Sequence, residues 1–183
     1  MIDDMLADAE AKMDQAVSHA GGEFATIRTG RANPALLHRV MVEYYGTPTP
    51  LQQLAGFSVP EARMLIVSPY DRSSIAAVEK AIRASELGLN PSNDGTIIRL
   101  AFPALTEERR KELIRMVRAM AEEGRVAIRN VRRHTKDSLE ALQGHVSEDD
   151  VRRAEKHLQE VTDEHIKRLD ELLLHKEEEL LEV

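Results

Sequence analysis

The chain has 183 residues, no cysteine and a formal net charge of -7. The lack of cysteine excludes disulfides, thiolate zinc sites and cysteine nucleophiles. Charged residues make up 31% of the sequence and aromatic residues 3%, so helices with aliphatic cores and solvated faces are expected. The acidic start MIDDMLADAE lacks the features of an export signal, and no apolar stretch approaches the roughly 18 residues of a membrane span. We therefore expect a cytoplasmic protein without a membrane partner.

An amphipathic helix is predicted at the start of the chain. Apolar residues recur from Ile2 to Ile27 at steps of mostly three and four, which is the spacing of one helix face. Gly21 and Gly22 lie within this segment, and each interior glycine costs about 1 kcal/mol relative to alanine. We expect the helix to continue through this pair as a soft spot and to end near Gly30.

The middle of the chain has a different character. All seven prolines lie between positions 34 and 103, and proline is excluded from helix interiors. The predicted elements are strands at VMVEYY, MLIVS and TIIRLA, a helix at SSIAAVEKAIRASEL, and turns at GTPTP and NPSNDG. Residues 31–104 are therefore predicted to form a small α/β domain. The chain enters it near TGRANP and leaves it near FPALT, and two such connections side by side are typical of a hinge.

Two more helices follow. Gly144 is a suitable left-handed stop for the first of them, and Ser147 with Asp150 has the spacing of a capping box for the second. The core face predicted for the first of these helices consists of Leu113, Val117, Met120, Gly124, Val131 and Leu142. The predicted fold class is α+β, an elongated three-helix bundle of residues 1–30 and 105–183 with the small α/β domain inserted.

One of these helices is strongly basic. The segment from Arg109 to Lys136 has ten Lys or Arg and three Glu, a net charge of +7, so the rest of the chain carries -14. At 100° per residue the basic side chains form a stripe that is expected to point away from the core. The members of this basic stripe are Arg118, Arg125, Arg129, Arg132 and Lys136, with Arg133 at its shoulder.

The basic stripe has two interpretations. Its arginines are either a solvated face paired with acids on neighbouring helices, or a surface for a phosphate backbone. The preference for arginine over lysine and the small number of acidic partners at i,i+4 favour phosphate. Because no aromatic residues interleave with the stripe, folded double-stranded RNA or DNA is a better match than splayed bases. A helical adaptor or nucleotide-exchange protein acting on proteins alone, and a hydrolase using the acidic clusters, remain the alternatives.

Other candidate sites are weak. No phosphate-binding loop of the GxxxxGK[ST] type is present, so the chain is expected to lack its own energy source. His157 and His165 are eight residues apart on one predicted helix, too far apart for a shared metal without a third element. The carboxylate runs are typical of solvated helix ends. We predict no catalytic residue, no metal site and no cofactor.

Five segments in order along the chain are similar to the bacterial ribosome recycling factor family: IRTGRANP, EYYGTPTPLQQLA, LGLNP, LTEERRKEL and VAIRNVRR. The resemblance covers essentially the whole length. It implies a long three-helix bundle with an inserted α/β domain, in an L shape that resembles transfer RNA. It also implies binding to post-termination ribosomes, with the bundle against ribosomal RNA of the large subunit.

The resemblance further implies a monomer that works with elongation factor G and GTP. Together they would split the ribosome into subunits, so that messenger and transfer RNA can be released, with no catalysis by this chain. The RNA contacts of the family correspond to Arg129, Arg132 and Arg133, with Arg125 one turn earlier. The hinge corresponds to Thr29, Gly30 and Arg31 on one connection and to Pro103, Ala104 and Leu105 on the other.

Overall fold

The computed structural model describes residues 1–182 and divides them into two compact units, Met1–Arg28 with Glu107–Glu182, and Thr29–Thr106. In chain order the helices are α1 (Ile2–Thr26), α2 (Leu51–Leu54), α3 (Ile75–Ala84), α4 (Glu107–Glu140) and α5 (Glu148–Leu181). The strands are β1 (Met41–Tyr44), β2 (Thr47–Pro50), β3 (Ala55–Glu61), β4 (Met64–Pro69), β5 (Pro91–Asn93) and β6 (Ile98–Ala101). The predicted α+β class, with a helical bundle and a small sheet domain, is confirmed.

The first unit is a three-helix bundle in which α1, α4 and α5 all contact one another. Helices α4 and α5 have 34 residues each, which corresponds to about 51 Å at 1.5 Å per residue. Helix α1 is continuous through Gly21 and Gly22, as predicted. It buries Met13, Val17 and Phe24 on one face, so the packing of this face outweighs the cost of two glycines.

The core face of α4 differs from the prediction. Leu113, Val117 and Gly124 are buried as expected, but the other three residues of the predicted core face are not. Met120, Val131 and Leu142 are only half-buried, and the positions buried instead are Ala121, Ile128 and Leu139. At 100° per residue the true core face is rotated by about 40° toward the basic stripe. Apolar residues occupy both candidate faces, so their pattern could not decide between them.

The connection between α4 and α5 was predicted correctly. Gly144 has φ = 89°, a left-handed conformation that favours glycine. The Ser147 hydroxyl then accepts a hydrogen bond from the backbone N–H of Asp150 at 3.2 Å, and so satisfies one of the free donors at the start of α5.

The second unit contains an antiparallel sheet with strand order β3-β4-β6-β5, and a separate hairpin of β1 and β2. Its core is apolar and includes Leu37, Val42, Leu65, Ile82 and Leu100. Helix α3 contributes Val78 and Ile82 to this core. The predicted strands at VMVEYY, MLIVS and TIIRLA correspond to β1, β4 and β6.

Three strands were missed, and all three contain proline. GTPTP and NPSNDG were predicted as turns, but Thr47–Pro50 is β2 and Pro91–Asn93 is β5. Strand β3, which contains Pro60, was not predicted. Strands β3 and β5 are the two edges of the larger sheet, and β2 pairs only with β1. Proline is tolerated on edges, where its missing N–H breaks no ladder hydrogen bond.

Candidate RNA interface

The basic stripe lies entirely on α4. Arg118, Arg129 and Arg133 are exposed, whereas Arg125, Arg132 and Lys136 are half-buried. Because all six lie in one continuous helix, their Cα positions are fixed by the helix, and only the side chains are free to adapt. The stripe is therefore a row of cations spaced by helix geometry.

The amino-terminal part of the stripe is paired with α5. The Arg118 Nε donates to Glu177 Oε1 at 2.5 Å. The Arg125 Nε and Nη2 both donate to Asp170 Oδ1, at 2.9 and 2.6 Å. Arg118 is exposed, as expected of a stripe that points away from the core, whereas Arg125 is half-buried. The rotated core face of α4 brings the stripe alongside α5, where acids of that helix reach its arginines.

Acids of α4 itself also contact the stripe. Glu122 accepts from Arg125 Nη1 at 3.0 Å and from Arg129 Nη1 at 3.1 Å. The hydrogen bond from Arg125 holds the pKa of the Glu122 carboxyl below its usual value, and that from Arg129 acts in the same direction. Lys136 forms an ion pair with Glu140 at 3.3 Å. The stripe thus has more acidic partners than the i,i+4 spacing alone indicated.

Arg132 and Arg133 differ from the rest of the stripe. Within residues 1–182, neither has a hydrogen bond or ion pair to another side chain. Arg132 is half-buried and Arg133 is exposed. Two guanidinium groups on adjacent residues of one helix, with no ion pair among the described residues, are strong donors for phosphate oxygens.

The predicted hinge residues lie in the second unit. Gly30 has φ = 77°, and a Cβ there would lie 3.4 Å from Leu105 Cγ and 3.5 Å from the carbonyl oxygen of Pro103. The two connections therefore run side by side at this point. Thr29 is buried, whereas Pro103 and Ala104 are exposed. The positive φ favours glycine at position 30.

Comparison with known protein families shows to which family this chain belongs. The family model described as ribosome recycling factor matches residues 21–181. The chain belongs to the ribosome recycling factor family. The ribosome-recycling factor of Acidothermus cellulolyticus is 60% identical over 185 residues, covering 100% of both chains. That of Cutibacterium acnes is 58% identical over 182 residues, covering 98% of this chain and 99% of the relative.

Solved structures of ribosome recycling factors also match. A solution structure of the ribosome recycling factor is 43% identical, has a TM-score of 0.75, and covers 100% of this chain and 98% of that chain. A second match is a model of the T. thermophilus ribosome recycling factor, described with E. coli elongation factor G bound to the E. coli post-termination complex. It is 48% identical, with a TM-score of 0.64 and 99% coverage of each chain. The fold of the family is thus shared along the whole chain.

One polar cluster of this family member was missed. His165 is 2% exposed and lies on the core face of α5. Its Nδ1 contacts the carbonyl oxygen of Val161 at 2.7 Å, and its Nε2 contacts Asp14 Oδ1 of α1 at 3.1 Å. Arg168 also donates to Asp14 Oδ1, at 2.7 Å. Polar partners at both ring nitrogens let a histidine occupy the core.

The sequence signal for this cluster is spacing. His165 is four residues before Leu169 and seven after Leu158, both of which are buried, so it falls on the apolar face of the helix. Its partner Asp14 is 151 residues away in sequence and carries no signal of its own. Only the packing of α1 against α5 identifies the pair.

Within residues 1–182, no group of three or more His, Asp or Glu residues is arranged to hold a metal ion. In the same part of the chain, no helix is both long and apolar enough to cross a membrane.

Proposed function

We propose that this chain recycles ribosomes after termination. It binds ribosomal RNA of the large subunit through the basic stripe of α4. With elongation factor G and GTP it then splits the ribosome into subunits, so that messenger and transfer RNA are released. The observation that carries the proposal is the pair Arg132 and Arg133, two adjacent arginines without a counter-charge among the described residues of a strongly paired helix.

The geometry of the stripe supports a graded role for its members. Arg132 and Arg133 are ready to donate to phosphate, and Arg129 shares Glu122 with Arg125, so only part of its guanidinium is engaged. Arg118 and Arg125 must exchange a carboxylate for a phosphate before they contact RNA. Lys136 must release Glu140. Arg132 and Arg133 are therefore the primary RNA contacts, and the others add to them.

The comparisons support the partners. A 48% identical relative is described together with elongation factor G on a post-termination complex. In our proposal elongation factor G supplies the energy of GTP hydrolysis, and this chain has no catalytic step of its own. It acts as a monomer in the cytoplasm.

The proposal includes a hinge at Thr29, Gly30 and Arg31 and at Pro103, Ala104 and Leu105. Residues 31–104 swing relative to the bundle of residues 1–30 and 105–183, while the bundle stays anchored on RNA. Residues 27–33 and 102–106 form neither helix nor strand, so the backbone torsions of these two short segments absorb the motion.

The test uses post-termination ribosomes mixed with this protein, elongation factor G and GTP, followed by light scattering. Splitting predicts a fall in scattering that requires GTP. Arg132→Ala should lose this fall and bind large subunits about 1–3 kcal/mol more weakly, with an unchanged circular dichroism spectrum. Arg152→Ala is the matched control, since it removes the same charge from the exposed start of α5 outside the stripe.

Two results would overturn the proposal. One is a scattering signal that does not change with an active elongation factor G from the same organism. The other is equal ribosome binding by Arg132→Ala and Arg152→Ala, which would leave the stripe as an ordinary solvated surface. Binding that is independent of salt would favour a protein partner, because phosphate contacts lower log affinity by about 0.7–0.9 for each tenfold rise in salt and each phosphate neutralised.

A further inference from the structure

The ion pairs between α4 and α5 follow a regular register. Arg118 pairs with Glu177, and Arg125, seven residues later on α4, pairs with Asp170, seven residues earlier on α5. This is the pattern of two antiparallel helices, in which equivalent positions recur every two turns. We call Asp170 and Glu177 the acid row.

The register has a third position that does not form an ion pair. Seven residues beyond Arg125 is Arg132, and seven before Asp170 is Asp163. Asp163 Oδ1 instead accepts from Gln159 Nε2 at 2.7 Å, and Arg132 has no partner within residues 1–182. On this register, Arg118 and Arg125 are therefore paired with acids of α5. Arg132, at the third position, has no ion pair among the described residues.

The acid row occupies the donors that a phosphate would need. Arg125 has five N–H donors; its Nε and Nη2 are used by Asp170, and Nη1 also donates to Glu122. Carboxylate and phosphate present similar oxygen pairs to the guanidinium fork. A phosphate can therefore reach the engaged edge of Arg125 only by displacing Asp170.

We propose that Asp170 and Glu177 determine specificity by competing with phosphate for Arg125 and Arg118. Generic RNA meets Arg132 and Arg133 as open donors, but it must displace two carboxylates to use the whole stripe. Only an RNA surface that presents phosphates at the spacing of the whole stripe replaces both acids together. This inference rests on the proposed RNA contact and adds a device that suppresses binding to other RNA.

A charge-neutral variant tests the competition. Asp170→Asn keeps the shape of the side chain but removes its charge, and the matched control Asp163→Asn removes the same charge from α5 at the position without an arginine partner. The probes are a short RNA duplex of arbitrary sequence and purified large ribosomal subunits. Binding is measured by fluorescence anisotropy over a series of KCl concentrations.

Competition predicts that Asp170→Asn binds the duplex about fivefold more tightly than Asp163→Asn does. Its plot of log affinity against log salt should steepen by about 0.7–0.9, because one more arginine is free to neutralise a phosphate. The gain should be smaller on large subunits, so the ratio of subunit to duplex affinity falls. Asp170→Asn combined with Glu177→Gln should extend both effects.

Other outcomes overturn the inference. Equal duplex binding by Asp170→Asn and Asp163→Asn would mean that only net charge matters. Weaker binding by Asp170→Asn on both probes would mean that the acid orients Arg125 for RNA. No duplex binding by Asp170→Asn would also refute competition. Arg132→Ala, measured on large subunits in the same series, tests the proposed function separately, because the duplex comparison needs no ribosome.

Discussion

Replacing Gly124 by alanine should destabilise the bundle, although alanine is the better helix former. A Cβ at position 124 would lie 2.9 Å from Leu169 Cδ2 and 3.4 Å from Ala20 Cβ. Leu169 and Ala20 are 0% and 2% exposed. The leucine side chain must therefore shift within the core to admit the new methyl group, and Ala20 moves only with the backbone of α1. At Gly124 of α4, side chains of both α1 and α5 therefore lie close to the helix backbone.

Two opposing effects determine how much Gly124→Ala changes the free energy of unfolding. Overpacking a well-packed core costs about 1–3 kcal/mol, whereas glycine to alanine inside a helix stabilises by about 1 kcal/mol. We expect Gly124→Ala to lower the free energy of unfolding by about 0–2 kcal/mol. Gly22→Ala is the matched control, since a Cβ there meets nothing within 4 Å, and it should raise the free energy of unfolding by about 0.5–1 kcal/mol.

Urea unfolding followed by far-UV circular dichroism measures both variants, with the shift of the midpoint at constant slope as the readout. The packing cost is the difference between them, because the helix-propensity gain is common to both. Shortening the neighbour by Leu169→Val in the Gly124→Ala background should recover part of this cost. Equal stabilisation by Gly124→Ala and Gly22→Ala would refute the close approach.

Three further predictions concern single contacts. Gly30→Ala should cost about 1–2 kcal/mol, since φ = 77° is a left-handed conformation that strains other residues; a thermal melt without a shift would contradict it. Ser147→Ala should cost about 1 kcal/mol of stability by removing the cap of α5, measured by urea unfolding against Ser138→Ala as control. Hydrogen bonds from Arg168 and His165 lower the pKa of Asp14 in the folded protein below the ordinary 3.8. The stability from Asp14 is therefore present above this pH and is lost as the pH falls through the folded value, so the difference between wild type and Asp14→Asn should disappear in acid.

Sequence patterns predicted most of the fold because its helices and central strands rely on local signals. Periodicity located α1, α4 and α5, and β-branched runs located β1, β4 and β6. The strands β2, β3 and β5 were missed for one reason: each contains proline, and whether proline is tolerated depends on the position of a strand in the sheet. That position is set by pairing with distant strands, which local sequence does not reveal.

The basic stripe likewise combines a feature that the sequence predicts with one that only tertiary structure decides. The sequence by itself determined that arginines recur along one line of α4, because helix geometry places residues three and four apart side by side. It could not determine which of them are free. That depended on the roughly 40° rotation of the core face, which brought Glu177 and Asp170 against Arg118 and Arg125 and left Arg132 without an ion pair within residues 1–182. Which charges remain available is decided by contacts between residues that are 45 or more positions apart in sequence, and only tertiary packing sets those contacts.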